Sequence, residues 1–253
     1  MYPILFKLGP LTLHTYGFFV ALGFLLALTW THYESLRRDL DPEIFHDLFF
    51  YVVVAALIGA RFFYVVLNFS YFRQDPFAAF RLWEGGLVFY GGFLFAVPVF
   101  IWRIRRWQKP ALEILDVGTP ALVLAQAVGR LGCLSAGCCY GKPCQSAVAI
   151  TFTNPLSHAP LYQALHPTQI YHGLANLSIF LILVIVSRRT QLRGTLVVGY
   201  LLLYGTLRFI IEFWRGDPRG FLDGFSTSQW ISVGLVVSGI ILWFFKVRKN
   251  HLV

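Results

Sequence analysis

The sequence predicts an all-α integral membrane protein of about seven transmembrane helices, its N-terminus outside and its C-terminus in the cytoplasm. Three observations predict it. Hydrophobic types make up 57% of the 253 residues and charged types only 13%, too few charges to coat an ordinary soluble domain. Apolar blocks fall at 11–31, 47–67, 86–102, 111–129, 170–187, 194–212 and 229–245, each near the roughly 20 residues that a spanning helix needs. The basic residues behind the net charge of +9 cluster beside these blocks instead of covering one face, so the expected partner is the lipid bilayer and not nucleic acid.

In chain order, only Lys7 precedes the first block, and no small-residue cleavage site follows at a suitable distance, so the first span is expected to be retained. Alternate connections then carry twelve basic residues against six. Arg37, Arg38, Arg103, Arg105, Arg106, Lys109, Arg188, Arg189, Arg193, Lys246, Arg248 and Lys249 stand against Lys7, Arg73, Arg81, Lys142, Arg215 and Arg219, which sets the orientation. Small residues four apart, such as Ala55 with Gly59, Ala56 with Ala60, and Ala121 with Ala125 and Gly129, read as helix packing. The block at 86–102 is short and glycine-rich, and 194–212 ends in charges, so these two spans are the least regular. Nothing outside the blocks is long enough for a large appendage. The expectation is one membrane-embedded domain, 1–253, with a small extracytoplasmic insertion at 130–168 between spans four and five.

Arg61, Arg130 and Arg208 lie at or within apolar spans, where an unpaired charge is expensive. Arg130 sits in Gly129-Arg130-Leu131-Gly132-Cys133, followed by glycines at 137 and 141. Glycines let backbone turn and approach a ligand, and a guanidinium offers a planar fork suited to phosphate; a bland interfacial arginine is the competing reading. Arg208 and Glu212, four apart in a run ending at Arg215, are expected to meet on one helical face as a charge pair, structural or catalytic. His166-Pro167-Thr168-Gln169-Ile170-Tyr171 opens span five with proline at an early helical position. His14-Thr15-Tyr16-Gly17 lies at the mouth of span one, where a tyrosine commonly marks the aromatic belt. Glu84-Gly85-Gly86, with Tyr90-Gly91-Gly92 beyond it, implies a backbone bend or a re-entrant segment.

Cys133, Cys138, Cys139 and Cys144 form a C-x4-C-C-x4-C run. An outside location permits disulfides, with Cys133 and Cys144 as partners for the adjacent pair; free thiols beside a reactive site are the alternative. The spacing matches structural zinc poorly, so neither metal nor other cofactor is expected.

Taken together, these motifs resemble the prolipoprotein diacylglyceryl transferase family, from His14 to about Pro218: H-x-Y-G, the glycine-rich turn, G-R-x-G, H-P-x-Q-x-Y and R-F-x-x-E-x-x-R follow one another in family order. The resemblance implies a multi-pass protein of the bacterial cytoplasmic (inner) membrane that moves diacylglycerol from phosphatidylglycerol to the lipobox cysteine thiol of prelipoprotein signal peptides. It further implies catalytic roles for Tyr16, Tyr90, Arg130, Arg208 and Glu212, and substrate contacts for His14, Arg130, Gly141, His166, Gln169, Tyr171 and Arg215. This chain departs from the family pattern in having Tyr90 where histidine is usual and Cys133 where asparagine is usual, and an acidic position of the signature falls near Cys138.

Two other classes compete with a transferase. A non-catalytic phospholipid-binding or lipid-transport protein of the same fold needs only the phosphate pocket, but transport predicts internal repeats and paired broken helices, which the sequence barely supplies. A thiol-redox protein predicts C-x-x-C, which is absent.

Overall fold

The structure is a computed structural model describing residues 2–8, 11–81, 85–107, 110–190, 192–218 and 220–250. Its elements in order are β1 (Ile4–Leu8), β2 (Leu11–His14), α1 (Thr15–Arg37), α2 (Glu43–Leu67), α3 (Phe69–Phe72), α4 (Phe89–Arg106), α5 (Ala111–Ala136), β3 (Ile150–Thr151), β4 (Ala164–Leu165), α6 (Thr168–Arg189), α7 (Thr195–Ile211), β5 (Phe221–Leu222), β6 (Phe225–Ser226) and α8 (Thr227–Asn250). Short 3-10 turns follow α3 at Pro76–Phe80 and α7 at Glu212–Trp214. Among the described residues six helices, α1, α2, α5, α6, α7 and α8, are long and apolar enough to cross a membrane. The expected third span is α4, whose 18 residues include Pro98 and end in Arg103, Arg105 and Arg106.

Two expected boundaries move. Residues 11–14 are not the start of a span but pair antiparallel with β1, and Thr15 then enters α1 with its amide on the Pro3 carbonyl at 3.0 Å. The fourth span runs seven residues past 129, so Arg130, Gly132 and Cys133 are helical. Gly132 is needed there for close approach, not for a turn: a Cβ on it would lie 3.2 Å from Tyr16 Cα of α1. The helix stops at Gly137, whose φ of +74° supplies the left-handed residue that closes many helices.

The chain divides into two compact units. Residues 1–30 with 115–253 form the first and 31–114 the second.

In the first unit, Val123, Ile179, Leu183 and Leu196 make a buried cluster joining α5, α6 and α7. Two glycines bring α7 and α8 together: a Cβ at Gly205 would meet Val236 at 2.8 Å, and one at Gly239 would meet Leu201 at 3.1 Å. The buried Asp116 carboxylate of α5 accepts the amides of Gly194, Leu196 and Val197 at 2.6, 3.0 and 3.1 Å, satisfying the start of α7. Between α5 and α6, β3 and β4 close over a small core of Phe152, Ala159 and Leu165. Helix α8 begins with a reciprocal cap: the Ser226 amide donates to Gln229 Oε1 at 2.9 Å and the Gln229 amide to Ser226 Oγ at 3.2 Å.

In the second unit, α2 and α4 pack through the expected small residues. A Cβ on Gly59 would collide with the Gly91 carbonyl, and one on Gly92 would lie 2.9 Å from the Ala56 carbonyl. Arg103 pairs with Asp47, which also accepts the Trp107 indole N–H at 3.2 Å. The glycine-rich turn does bend: Gly85 and Gly86 have φ of +83° and +76°. Glu84 of that motif lies outside the described residues.

Candidate active site

Four of the expected residues lie on three apolar helices: Arg130 on α5, Gln169 and Tyr171 on α6, and Arg208 on α7. Arg130 and Gln169 line a cavity of about 230 Å³ between α5 and α6, otherwise walled by apolar side chains such as Leu124, Leu131 and Leu177. Gly173 of α6 faces α5 there, and a Cβ on it would lie 3.6 Å from Arg130 Cβ, an ordinary contact distance. Among the described residues the Arg130 guanidinium has neither a hydrogen-bond nor an ion-pair partner. Its charge is felt by Tyr16 on α1 and by His172 on α6. His172 also feels Arg215 and Arg208, so the fields of three cations overlap on one buried imidazole.

Arg208 and Glu212 do not form the expected charge pair. Helix α7 ends at Ile211 and Glu212 opens a tighter 3-10 turn, and each side chain finds a hydroxyl partner at the start of α8 or on the residue just before it instead. Arg208 donates to Tyr204 Oη and to Ser228 Oγ, both at 3.1 Å, while Glu212 Oε1 accepts from the capping Ser226 at 3.0 Å. These hydroxyls hold the Arg208 fork without neutralising it. Arg215 differs, because its fork is closed by a bidentate pair with Asp217 at 2.8 Å on both arms. Burial opposes its charge, but the Asp217 carboxylate and the neighbouring Cys139 raise its pKa further above the ordinary arginine value.

Gly141 joins two motifs. Its amide donates to the His166 carbonyl at 3.1 Å, it bridges to Arg215, and a Cβ would lie 2.5 Å from the His166 carbonyl and 2.9 Å from that of Trp214. Its place is one that only glycine fits, which binds the H-P-x-Q segment to the segment after α7. His166 Nδ1 lies 3.2 Å from the Tyr171 hydroxyl. His14 and Tyr16 line a second cavity of about 580 Å³ with Cys138 and His158. Tyr90 belongs to the second unit, on the first turn of α4 with 67% of its surface exposed.

All four cysteines are free thiols. The Sγ atoms of Cys133, Cys138 and Cys139 all lie within 4.8 Å of one another, a grouping that sequence spacing does not reveal. Hydrogen bonds from Cys133 and Cys138, aided by Arg215 and Arg130, hold the Cys139 thiol far below the usual thiol range. Hydrogen bonding to Cys133 and Cys139, together with burial, pushes Cys138 up.

Several polar residues escaped the sequence reading. His172 and Asn176 are buried alongside the expected Gln169 at successive turns of one face of α6, and among the described residues Gln169 Oε1, His172 Nε2 and Asn176 Nδ2 have no hydrogen-bond partner. Tyr204, Ser228 and Ser226 hold Arg208 and Glu212. The signals were present as polar residues at helical spacing in an apolar block, and as S-x-x-Q at 226–229.

A family model described as prolipoprotein diacylglyceryl transferase matches residues 3–245. Curated relatives bearing the name phosphatidylglycerol–prolipoprotein diacylglyceryl transferase include one from Clostridium tetani, 34% identical over 96% of this chain and 97% of its own length. One from Streptococcus mutans is 35% identical over 98% and 96%, and one from Halalkalibacterium halodurans is 30% identical over 98% and 87%. With six apolar helices of spanning length and a match that runs almost end to end, the chain is a multi-pass membrane protein and belongs to the prolipoprotein diacylglyceryl transferase family.

Proposed function

We propose that this protein transfers the diacylglyceryl group of phosphatidylglycerol to the thiol of a prelipoprotein's lipobox cysteine, at the outer face of a bacterial cytoplasmic membrane. A C–S bond forms at the glyceryl carbon, the C–O bond to phosphate breaks, and glycerol phosphate leaves with the bonding electrons as the thiol gives up its proton. A phosphodiester with one negative charge becomes a monoester carrying close to two. Cations that meet this growing charge in a water-poor site stabilise the transition state more than the ground state.

The observation that carries this reading is the uncommitted Arg130 guanidinium, facing an apolar cavity beside the fields of Arg208 and Arg215. Arg130 takes the phosphate in its fork, and Arg208, tethered only to hydroxyls, adds the second charge. Glu212 fixes the α8 cap and so the Ser228 side of that tether. Arg215, already paired with Asp217, acts through its field. The unpartnered atoms Gln169 Oε1 and His172 Nε2 supply hydrogen bonds to the head group, whose hydroxyls need partners once out of water. His14 and Tyr16 line the cavity through which the peptide thiol approaches. His166 and Tyr171 keep the mouth of α6 in place, and Tyr90 has the hydrogen bond to substrate that the family resemblance implies. The Lys/Arg asymmetry supports an outward N-terminus, and with it an outward segment at 137–167.

The test is incubation of the purified protein with phosphatidylglycerol and a lipobox peptide, followed by mass measurement of the peptide. The expected result is a gain of one diacylglyceryl group on the cysteine. A wild-type chain that binds the lipid but leaves the peptide mass unchanged would establish the binding-only class instead.

A further inference from the structure

We propose that Cys133, Cys138 and Cys139 form a binding site for one soft, thiophilic metal ion of the Cu(I) class, in a trigonal three-sulfur arrangement. Their Sγ atoms lie within 4.8 Å of one another. Three sulfurs at a metal–sulfur distance of about 2.3 Å stand ~4 Å apart in a trigonal site, so the trio closes on an ion by small side-chain adjustments. The backbone already holds the cluster open in this shape. Cys139 has φ of +60°, a left-handed conformation that a non-glycine residue adopts only where its surroundings impose it. Those surroundings are two fully buried side chains of α6: Thr168 Oγ1 donates to the Cys139 carbonyl at 2.7 Å and Gln169 Nε2 to the Cys138 carbonyl at 2.9 Å. The third sulfur comes from the last turns of α5, so the ligands sit on ordered backbone.

Ligand softness and charge choose the ion. Thiolates select Cu(I) or Zn(II), but structural zinc asks for a fourth protein ligand, and among the described residues no further Cys, His, Asp or Glu joins the trio. Each thiol releases its proton on binding, so three thiolates around a monovalent ion carry two net negative charges. Arg130 and Arg215, whose charges act on Cys139, balance that remainder. The metal site stands apart from the transferase reading. Its consequence rests on that reading: a filled centre engages the Arg130 charge that the lipid phosphate needs, so the metal inhibits transfer.

The experiment is titration of the detergent-purified chain, reduced with a phosphine, with Cu(I) against a competing chelator. The expected result is one Cu(I) per chain, with three sulfur neighbours in X-ray absorption. Cys133→Ser and Cys139→Ser are expected to weaken binding by at least ~100-fold, beyond the 10–100-fold typical of a lost supporting residue. Cys144→Ser, whose thiol pairs with Ser146 Oγ outside the trio, is expected to bind like wild type. If a serine variant fails to fold, the sulfur count on the wild-type chain still decides. Two sulfur neighbours, no retention against the chelator, tighter retention of Zn(II), or an unchanged affinity in folded Cys139→Ser would each overturn the site. In the peptide assay, one equivalent of Cu(I) is expected to suppress transfer at least tenfold and the chelator to restore it. Metal bound with full activity overturns the inhibition alone, whereas inactivity of the metal-free wild type speaks against the transferase reading and leaves the metal site intact.

Discussion

Arg61 and Arg130 are both arginines within apolar helices, yet their surroundings make them opposites. Arg61, on α2 in the second unit, places its guanidinium against five backbone carbonyls: Ala79 at 2.8 Å, Ala78 and Gly85 at 2.6 Å, Arg81 and Gly86 at 3.1 Å. The rings of Tyr64 and Phe72 flank it at 5.5 Å. Every arm is used, and the product is a pinned backbone at 78, 79, 81, 85 and 86, ahead of α4. Arg130, on α5 in the first unit, has an open fork and a cavity before it. Burying a charge is expensive in either place. A saturated fork accounts for that cost by holding the fold, whereas an open one implies a ligand that completes it.

The comparison breaks most readily by removing each arginine in turn. Arg130→Ala is expected to lower transfer by roughly 10²–10³-fold, the range for loss of one preorganised charge-stabilising donor, with little change in thermal unfolding. Arg61→Ala is expected to do the reverse. It strands several buried carbonyls, costs about 3 kcal/mol or more of stability, and leaves activity per folded molecule near wild type. Equal activity losses at both positions in folded protein would erase the distinction.

A smaller effect sharpens the first half. Ser228→Ala removes one of the two hydroxyls on the Arg208 cation, a hydrogen bond worth about 1.5 kcal/mol, and is expected to reduce kcat/KM roughly tenfold. Tyr90→Phe is expected to cost about tenfold, the value of one hydrogen bond to a charged group, and Tyr90→His to remain active. A turnover gain in Tyr90→His over an inactive wild type would mark a repurposed member. The smallest effect belongs to the thiols. The Cys133, Cys138, Cys139 and Cys144 quadruple serine variant is expected to keep its activity per folded molecule, because a thioether formed on the enzyme's own sulfur would be a dead end for transfer. A well-folded quadruple variant without turnover would instead implicate a cysteine in catalysis.

Much of this was legible in the sequence where the signal is local. Apolar block length located the helices, small residues four apart located the α2–α4 contact, and glycines at 85 and 86 located the bend. What stayed hidden depends on neighbours distant in the chain. Gly132 read as a turn residue, yet it is helical because Tyr16 packs against it; Gly137, one residue beyond the helix, was the better stop signal. Arg208 and Glu212 have the spacing of a pair, but Ser228 at the start of α8 and Ser226 just before it each offer a hydroxyl, and no spacing rule sees across to another element. The same holds for the thiols, whose convergence comes from a left-handed Cys139 fixed by α6.

The central claim is that Arg130 acts as a planar fork on phosphate and not merely as a positive charge. The direct measurement is the rate of peptide diacylglyceryl modification by Arg130→Lys beside wild type, with phosphatidylglycerol as donor and matched thermal unfolding for both. A lysine keeps the charge but cannot reproduce two parallel N–H donors, so the expected result is at least a tenfold loss, about 1.4 kcal/mol of transition-state stabilisation, in a fully folded protein. Wild-type activity in Arg130→Lys would contradict the account and reduce Arg130 to a residue of topology.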